Sequence, residues 1–547
     1  MHIQNLTAPR LRFSPWSAGA LVIAVLVVTP LASVLWIALT PRDNIWPHLL
    51  ATTLPRYLGN SLILMASVAV MVAVTGTVTA WLVTMYRFPG RRWLEWLLLL
   101  PLAIPAYIGA YAITDLLEYA GPVQSGLRTL FGWADARAYW FPEVRSRETA
   151  SVVLAAALYP YVYLLARAAF LEQSVSAFDV ARTLGAGPWR RFLRVGLPLA
   201  RPAIAVGTAI AMMETVSDFG VVQYFAVQTL TTGIFTTWLE AGNAGGAAQI
   251  ALVVMAIVLG LVALEKNSRR RSRFYQMSRQ QRPTERITLT GWRAWMASFL
   301  CALPVAIGFV LPAGVITVLA VRNTAEWSDP RLLQTLWNTL FVSGVAAAVT
   351  VTAALFLVYG VRLSGRLLPR ALLPVTTLGY AAPGAVLGLG LLLPMAWADH
   401  RIADAIEAVF GVDPGLLMTG TTFAIIVAYV VRFFAIAQGA ADSAFGRVSP
   451  NLPLAARSLG RSAGGTLRRI HLPLISGSIG TALLLVFVDA VKELPATLLL
   501  RPFNFDTLAT RVYDQASLER ISAAAPPALM VILVGLTAVL ILARSLK

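Results

Sequence analysis

The sequence predicts an all-α polytopic membrane protein: about 12 transmembrane helices in two parallel six-helix repeats, with both termini cytoplasmic. Three observations carry this. Of 547 residues, 58% are hydrophobic and only 13% charged, about half the roughly 25% charged share of soluble domains, and mean hydropathy is +0.71. Apolar windows of about 20 residues, the length that crosses the hydrocarbon core as a helix, recur along the whole chain. Finally, the chain repeats itself about its midpoint.

The windows of the first half lie near 17–39, 61–86, 94–117, 150–171, 198–217 and 247–264. Those of the second lie near 296–321, 336–361, 369–397, 419–441, 474–495 and 525–545. The first exceeds the core of a signal peptide and lacks an evident small-residue cleavage site, so it reads as a retained span. Prolines and glycines within windows, as in "LLLLPLAIPAYIGAYA", are tolerated where neighbours satisfy the freed backbone groups.

Basic residues orient these spans. Arg10 and Arg12 precede the first; Arg87, Arg91 and Arg92 follow the second; Arg182, Arg190, Arg191 and Arg194 follow the fourth. The stretch 265–293 holds nine basic and two acidic residues, and arginine clusters recur after the eighth and tenth windows. Every second loop is basic, which places these loops in the cytoplasm. The net charge of +18 is therefore read as orientation in a lipid bilayer and not as nucleic-acid binding. One cysteine, Cys301, excludes an internal disulfide and a cysteine-rich metal site.

The basic stretch 265–295 divides the chain into a first half, 1–264 (core about 56–264), and a second half, 296–547 (core about 334–545). Asn60-Ser61-Leu62 answers to Asn338-Thr339-Leu340, and Pro105 to Pro383, at an offset of 278. At an offset of 275, Ala181, Arg182, Leu184, Gly185, Arg194, Leu197, Pro198 and Leu199 meet Ala456, Arg457, Leu459, Gly460, Arg469, Leu472, Pro473 and Leu474. An even number of spans per half makes the repeats parallel, related by an axis along the membrane normal.

The repeated segment reads as helix, break and second short helix. Ser176 and Asp179 fit a capping box, Gly185 and Gly460 fit the left-handed residue that ends a helix, and Pro198 and Pro473 mark re-entry into the membrane. Orientation needs a few positive charges, not a glycine and a proline at the same spacing twice.

The two copies, "DVARTLGAG…VGLPL" and "LAARSLGRS…IHLPL", resemble the signature loop of permease subunits in type I bacterial ATP-binding-cassette importers. The resemblance implies that each loop is a coupling helix docking into a cytoplasmic ATPase, so that two ATPase copies are partners. The residues it carries over are Asp179, Ala181, Arg182, Gly185, Arg194 and Pro198, with Ala456, Arg457, Gly460, Arg469 and Pro473. The leading acidic residue, Asp179, is replaced by Leu454 in the second copy. No GxxxxGK[ST] phosphate loop occurs. The chain is therefore not expected to be an enzyme or to bind a cofactor, and ATP and magnesium would sit on the partner ATPases.

Two acidic pairs also correspond: Glu214 with Asp489 and Asp218 with Glu493. Spacing i, i+4 puts each pair on one helix face. Carboxylates at membrane depth usually line a polar path or gate, which makes these four candidate pathway residues. A salt bridge, for instance with Lys492, or exposure at the outer interface is the alternative. "KELPATLLLRPF…FDTLAT" and "ET…DFG…TLTTGIF" resemble fused two-half permeases of ferric iron importers. That branch implies an inner-membrane location and a periplasmic iron-binding protein as partner. Ferric iron favours oxygen ligands, although no metal-ligand set is defined by the sequence. Thiamine, polyamine, sulfate or phosphonate permeases share the coupling loop and remain alternatives for cargo. A secondary transporter leaves the paired loops unexplained. His2, His48, His400 and His471 are dispersed, without a nucleophile–base motif, and His471 reads as a loop residue.

Overall fold

The computed structural model describes residues 15–173, 175–272, 286–364, 367–449 and 451–545. The first half supplies the principal helices α1 (Pro15–Leu39), α2 (Leu54–Met85), α3 (Arg91–Leu97), α4 (Ala106–Leu117), α5 (Arg147–Leu171), α6 (Val175–Thr183), α7 (Leu197–Ser217), α8 (Gly220–Tyr224), α9 (Leu230–Phe235) and α10 (Ala244–Ser272). The second supplies α11 (Trp292–Val305), α12 (Leu311–Arg322), α13 (Pro330–Ser364), α14 (Gly384–Phe410), α15 (Thr422–Gly446), α16 (Asn451–Ser458), α17 (Leu472–Val491), α18 (Pro495–Leu500), α19 (Leu508–Ser517) and α20 (Ile521–Ser545). Among the described residues the strand content is one parallel two-residue pair, Tyr86–Arg87 with Ile287–Thr288, which ties the end of the basic linker to the loop after α2.

Ten helices among the described residues are long and apolar enough to cross a membrane, or eleven with one bent pair, against the 12 windows expected. The windows at 94–117 and 369–397 account for the difference. In the first, Arg91–Ala103 and Ala106–Phe131 meet at 95°. A 3₁₀ turn, Leu100–Ala103, leads into Ile104 in extended conformation, and Pro105 then opens α4. The second repeats this with the 3₁₀ turn Leu378–Ala381, extended Ala382 and Pro383. Proline lacks an N–H and pushes the residue before it out of the α region, so Pro105 and Pro383, at matching places in the two halves, break a helix twice.

Packing groups the chain otherwise than the repeat does. One compact unit comprises residues 44–332 and 511–547; the other comprises 1–43 and 333–510. In the larger unit, α2, α5 and α7 form the core. A Cβ at Gly76 would lie 2.6 Å from Val162 Cβ, and one at Gly207 2.8 Å from Val162 Cα. Small residues thus let three backbones converge, as membrane helices without a hydrophobic driving force between them require. Helices α11, α12 and α20 join this unit, with Gly535 set against the Ala103 carbonyl. In the other unit, α13, α14, α15 and α17 enclose Val342, Leu387, Tyr429, Phe434 and Val486. There α1 contributes Ala20 and Val27 to the core, and Gly390 rests on the backbone of Pro30.

Within each unit the repeated Asn-Ser/Thr pair holds the same joint. Asn60 Nδ2 donates to the Gln228 carbonyl at 2.9 Å, and Asn338 Nδ2 to that of Asp506 at 3.1 Å. Ser61 Oγ accepts from Leu230 N at 3.0 Å, and Thr339 Oγ1 from Leu508 N at 2.7 Å. The helices so anchored, α9 and α19, begin with matching threonine caps, Thr229 with Thr232 and Thr507 with Thr510.

Candidate functional site

Each repeated segment folds as a short helix, a left-handed glycine and a second turn. Helix α6 ends at Gly185, φ +76°, and α16 at Gly460, φ +79°. Ala186 N donates to Ala181 O at 2.9 Å and Gly185 N to Arg182 O at 3.0 Å. In the second copy, Arg461 N donates to Ala456 O at 3.1 Å and Gly460 N to Arg457 O at 3.0 Å. These paired bonds satisfy the last helix carbonyls. They explain why the glycine recurs at the same place in both copies, since it is the residue at positive φ. Helical turns at Pro188–Arg191 and Ala463–Thr466 follow. Each leads through a π-helical turn, Phe192–Gly196 or Leu467–His471, into α7 or α17 at Leu-Pro. Asp179 lies in α6, but its side chain, and with it the capping box with Ser176, falls outside the described residues.

The outer surface of each segment is charged and carries exposed apolar side chains, Val180, Leu184 and Trp189 in the first copy and Leu452, Leu454 and Leu459 in the second. Arg182, Arg194, Arg457 and Arg469 are exposed, and so are Leu184 at 80% and Leu459 at 83%. A leucine that exposed beside a rigid turn, repeated at the same position, has the character of an interface anchor. Ala456 is buried and Ala181 half-buried.

Beneath each segment sits an aromatic seat that sequence reasoning missed. Trp81 of α2 packs against Phe170, Phe178 and Phe192 at ring separations of 5.1, 5.9 and 5.0 Å. A Cβ at Gly196 would lie 2.5 Å from the Trp81 ring. The corresponding positions of the second half are Tyr359, Phe445 and His471. Their rings pack at 5.5 Å (Tyr359–His471) and 5.1 Å (Phe445–His471), and the Tyr359 hydroxyl donates to Ala463 O at 2.6 Å. His471 is thus a buried ring inside the π turn and not a loop residue. Large against small in one half, tyrosine against histidine in the other, fills one volume in two ways. The signal was present in the matched offsets, though nothing in them shows that these residues touch.

The four acidic residues lie where a spanning helix stops. Helix α7 ends at Ser217 and α17 at Val491, so Asp218 and Glu493 fall past the helix end, and the expectation of one helix face does not hold. Each caps the short helix that follows. Asp218 Oδ1 accepts from Val221 N at 2.9 Å and Val222 N at 3.2 Å, and Glu493 Oε1 accepts from Ala496 N at 3.2 Å. Glu493 is buried, and its Oε2 lies 3.1 Å from Arg432 Nε. Asp489 lies 3.9 Å from Lys492 Nζ. Glu214 and Asp218 are half-buried. Among the described residues no group of three or more His, Cys, Asp or Glu side chains is arranged to hold a metal ion.

Residues 72–274 match the family described as binding-protein-dependent transport system inner membrane component. The molybdenum transport system permease protein ModB of Escherichia coli (strain K12) is 31% identical over 193 residues, 34% of this chain and 80% of that protein. The chain belongs to that family. It is a transport component and a multi-pass inner-membrane protein. The permease resembles fused relatives over most of its length. The Fe(3+)-transport system permease protein FbpB 2 of Haemophilus influenzae is 26% identical over 487 residues, 87% of each chain. The ferric transport system permease protein FbpB of Actinobacillus pleuropneumoniae is 24% identical over 484 residues, 85% of this chain and 67% of that protein.

Proposed function

We propose that this permease moves ferric iron inward across the inner membrane, receiving it from a periplasmic binding protein and driven by two copies of a cytoplasmic ATPase that bind ATP and magnesium. The observation that carries the coupling role is the duplicated helix–glycine–helix segment, with Leu184 and Leu459 protruding at matched positions. A rigid turn continuous with a spanning helix transmits rigid-body motion, and the helix pair is repeated as a twofold engine requires. Two relatives that match over most of the chain and are named for ferric transport support the cargo. So does the chemistry of the breaks: Glu214, Asp218, Asp489 and Glu493 would line or gate the path, and carboxylates attract a hard cation while repelling oxyanions.

The test is ATP-driven uptake of radiolabelled ferric iron in proteoliposomes holding the permease, its ATPase and its binding protein. ATP-dependent accumulation is expected, and accumulation of molybdate or sulfate but not of iron would overturn the cargo. Glu214→Gln/Asp218→Asn, which keeps the capping oxygen, should depress uptake with normal complex assembly. Normal uptake would remove Glu214 and Asp218 from the path.

A further inference from the structure

The two halves build the same break and dress it differently. In the larger unit α4 and α8, the short helices that follow the two breaks, pack together, and a Cβ at Gly220 would lie 2.7 Å from Tyr107 Cβ. This close approach gathers three phenol rings, Tyr107 tilted against Tyr111 at 5.9 Å and Tyr111 edge to face with Tyr224 at 4.5 Å. Asp218 caps that same short helix α8, two residues before Gly220. Tyr111 is 1% exposed, and its hydroxyl has no hydrogen-bond partner. An unsatisfied buried hydroxyl is a standing penalty.

At the repeat-equivalent positions of the other unit this chemistry is gone. Tyr107, Tyr111 and Tyr224 correspond to Ala385, Leu389 and Leu499, and the acid there, Glu493, is paired with Arg432. The tyrosine that does lie near that break, Tyr429, shares a hydrogen bond with Thr497 at 2.6 Å. Helix packing at a break therefore needs neither the phenols nor an acid lacking an arginine.

We infer that Tyr111, Tyr224 and Asp218 form an oxygen-donor transit site for ferric iron in the first half of the permease. The inference rests on the ferric-cargo reading. Phenolate and carboxylate are hard donors matched to a hard trivalent cation. Each phenol that coordinates loses its O–H proton to water as its oxygen bonds iron; the iron stays ferric, and the proton returns from water when iron leaves. Asp218, held by two backbone N–H groups, adds a carboxyl oxygen donor at the head of the short helix that ends in Tyr224. Arg145 stands 5.3 Å from the Tyr224 ring with its charge taken up by Glu118 and Glu519, so it does not oppose a cation.

The test titrates the full-length permease in lipid nanodiscs with ferric nitrilotriacetate. A visible phenolate-to-iron charge-transfer band is expected, with iron affinity reduced and the band lost in Tyr111→Phe/Tyr224→Phe. Tyr429→Phe should leave both unchanged. Absence of the band in the unmodified permease, or its persistence in the double variant, overturns the site. Tyr111→Phe removes a hydroxyl with no partner, so thermal stability should hold and loss of the band cannot be laid to misfolding. In proteoliposomes, normal iron uptake by the double variant refutes the site and leaves the cargo reading standing; no iron uptake by the unmodified permease refutes the cargo reading itself.

Discussion

Replacing Gly460 or Gly185 by alanine isolates the contribution of one backbone angle to coupling. Both residues sit at positive φ, +79° and +76°, and no atom lies within 4 Å of the Cβ that alanine would add. Steric collision is therefore excluded, and the penalty is conformational alone. A left-handed L-residue costs roughly 1–2 kcal/mol, so the population of the intact turn should fall by a factor of about 5–30. Asparagine tolerates this region better than alanine, and valine, β-branched, much worse. The order of retained function should be glycine, asparagine, alanine, valine. Co-purification of the ATPase with the permease measures docking, and ATP-driven uptake measures coupling. Wild-type docking and uptake in Gly460→Val would refute the reasoning. So would an asparagine variant as impaired as valine, because the two differ in their tolerance of this angle.

Three further perturbations follow from the geometry. Gly196→Ala drives a methyl into the Trp81 ring, an overpacking of about 1–3 kcal/mol; the same change should cost less in a Trp81→Leu background, measured by thermal unfolding as a double-mutant cycle, and an equal cost in both backgrounds would discount the contact. Arg432→Met strands buried Glu493 and should destabilise the permease by about 3–5 kcal/mol, with much of that recovered in Arg432→Met/Glu493→Gln; unfolding of the four forms of this double-mutant cycle decides it. Asp399, on the part of α14 beyond the apolar window, is buried, and burial alone would raise its pKa. The Thr419 hydroxyl and N–H, Met418 N at 2.8 Å and Leu417 N at 3.0 Å outweigh that and hold it below the ordinary value. A depressed carboxyl stabilises the fold above its unfolded pKa, and that contribution is lost as pH falls through the folded one. Stability should therefore decline below the ordinary aspartate range, and Asp399→Asn should flatten that decline in thermal melts.

The features legible without coordinates are those governed by near neighbours in sequence. Gly185 and Gly460 announce left-handed caps because the capping bonds span only a few residues. Asn60-Ser61 and Asn338-Thr339 announce themselves by repetition, though their partners, near Gln228 and Asp506, do not. The bends at Pro105 and Pro383 show where local reading stopped short. The prolines and their spacing were visible, yet hydropathy averages over a window and hides a 95° turn within it.

The amino-acid sequence by itself determined that this chain is a duplicated bundle of membrane helices with two helix–glycine–helix segments, because apolar length, arginine bias and the αL glycine act locally. Only the tertiary structure decided which helices keep company. It groups α1 with α13 to α17, and α11, α12 and α20 with α2 to α10. Lipid and protein interior are equally apolar, so hydropathy identifies a span without naming its neighbour. The same limit hid the Trp81–Gly196 and Tyr359–His471 seats, the Glu493–Arg432 pair and the Tyr111–Tyr224 contact. Each joins residues remote in sequence whose encounter is set by shape, and shape exists only once the helices have packed.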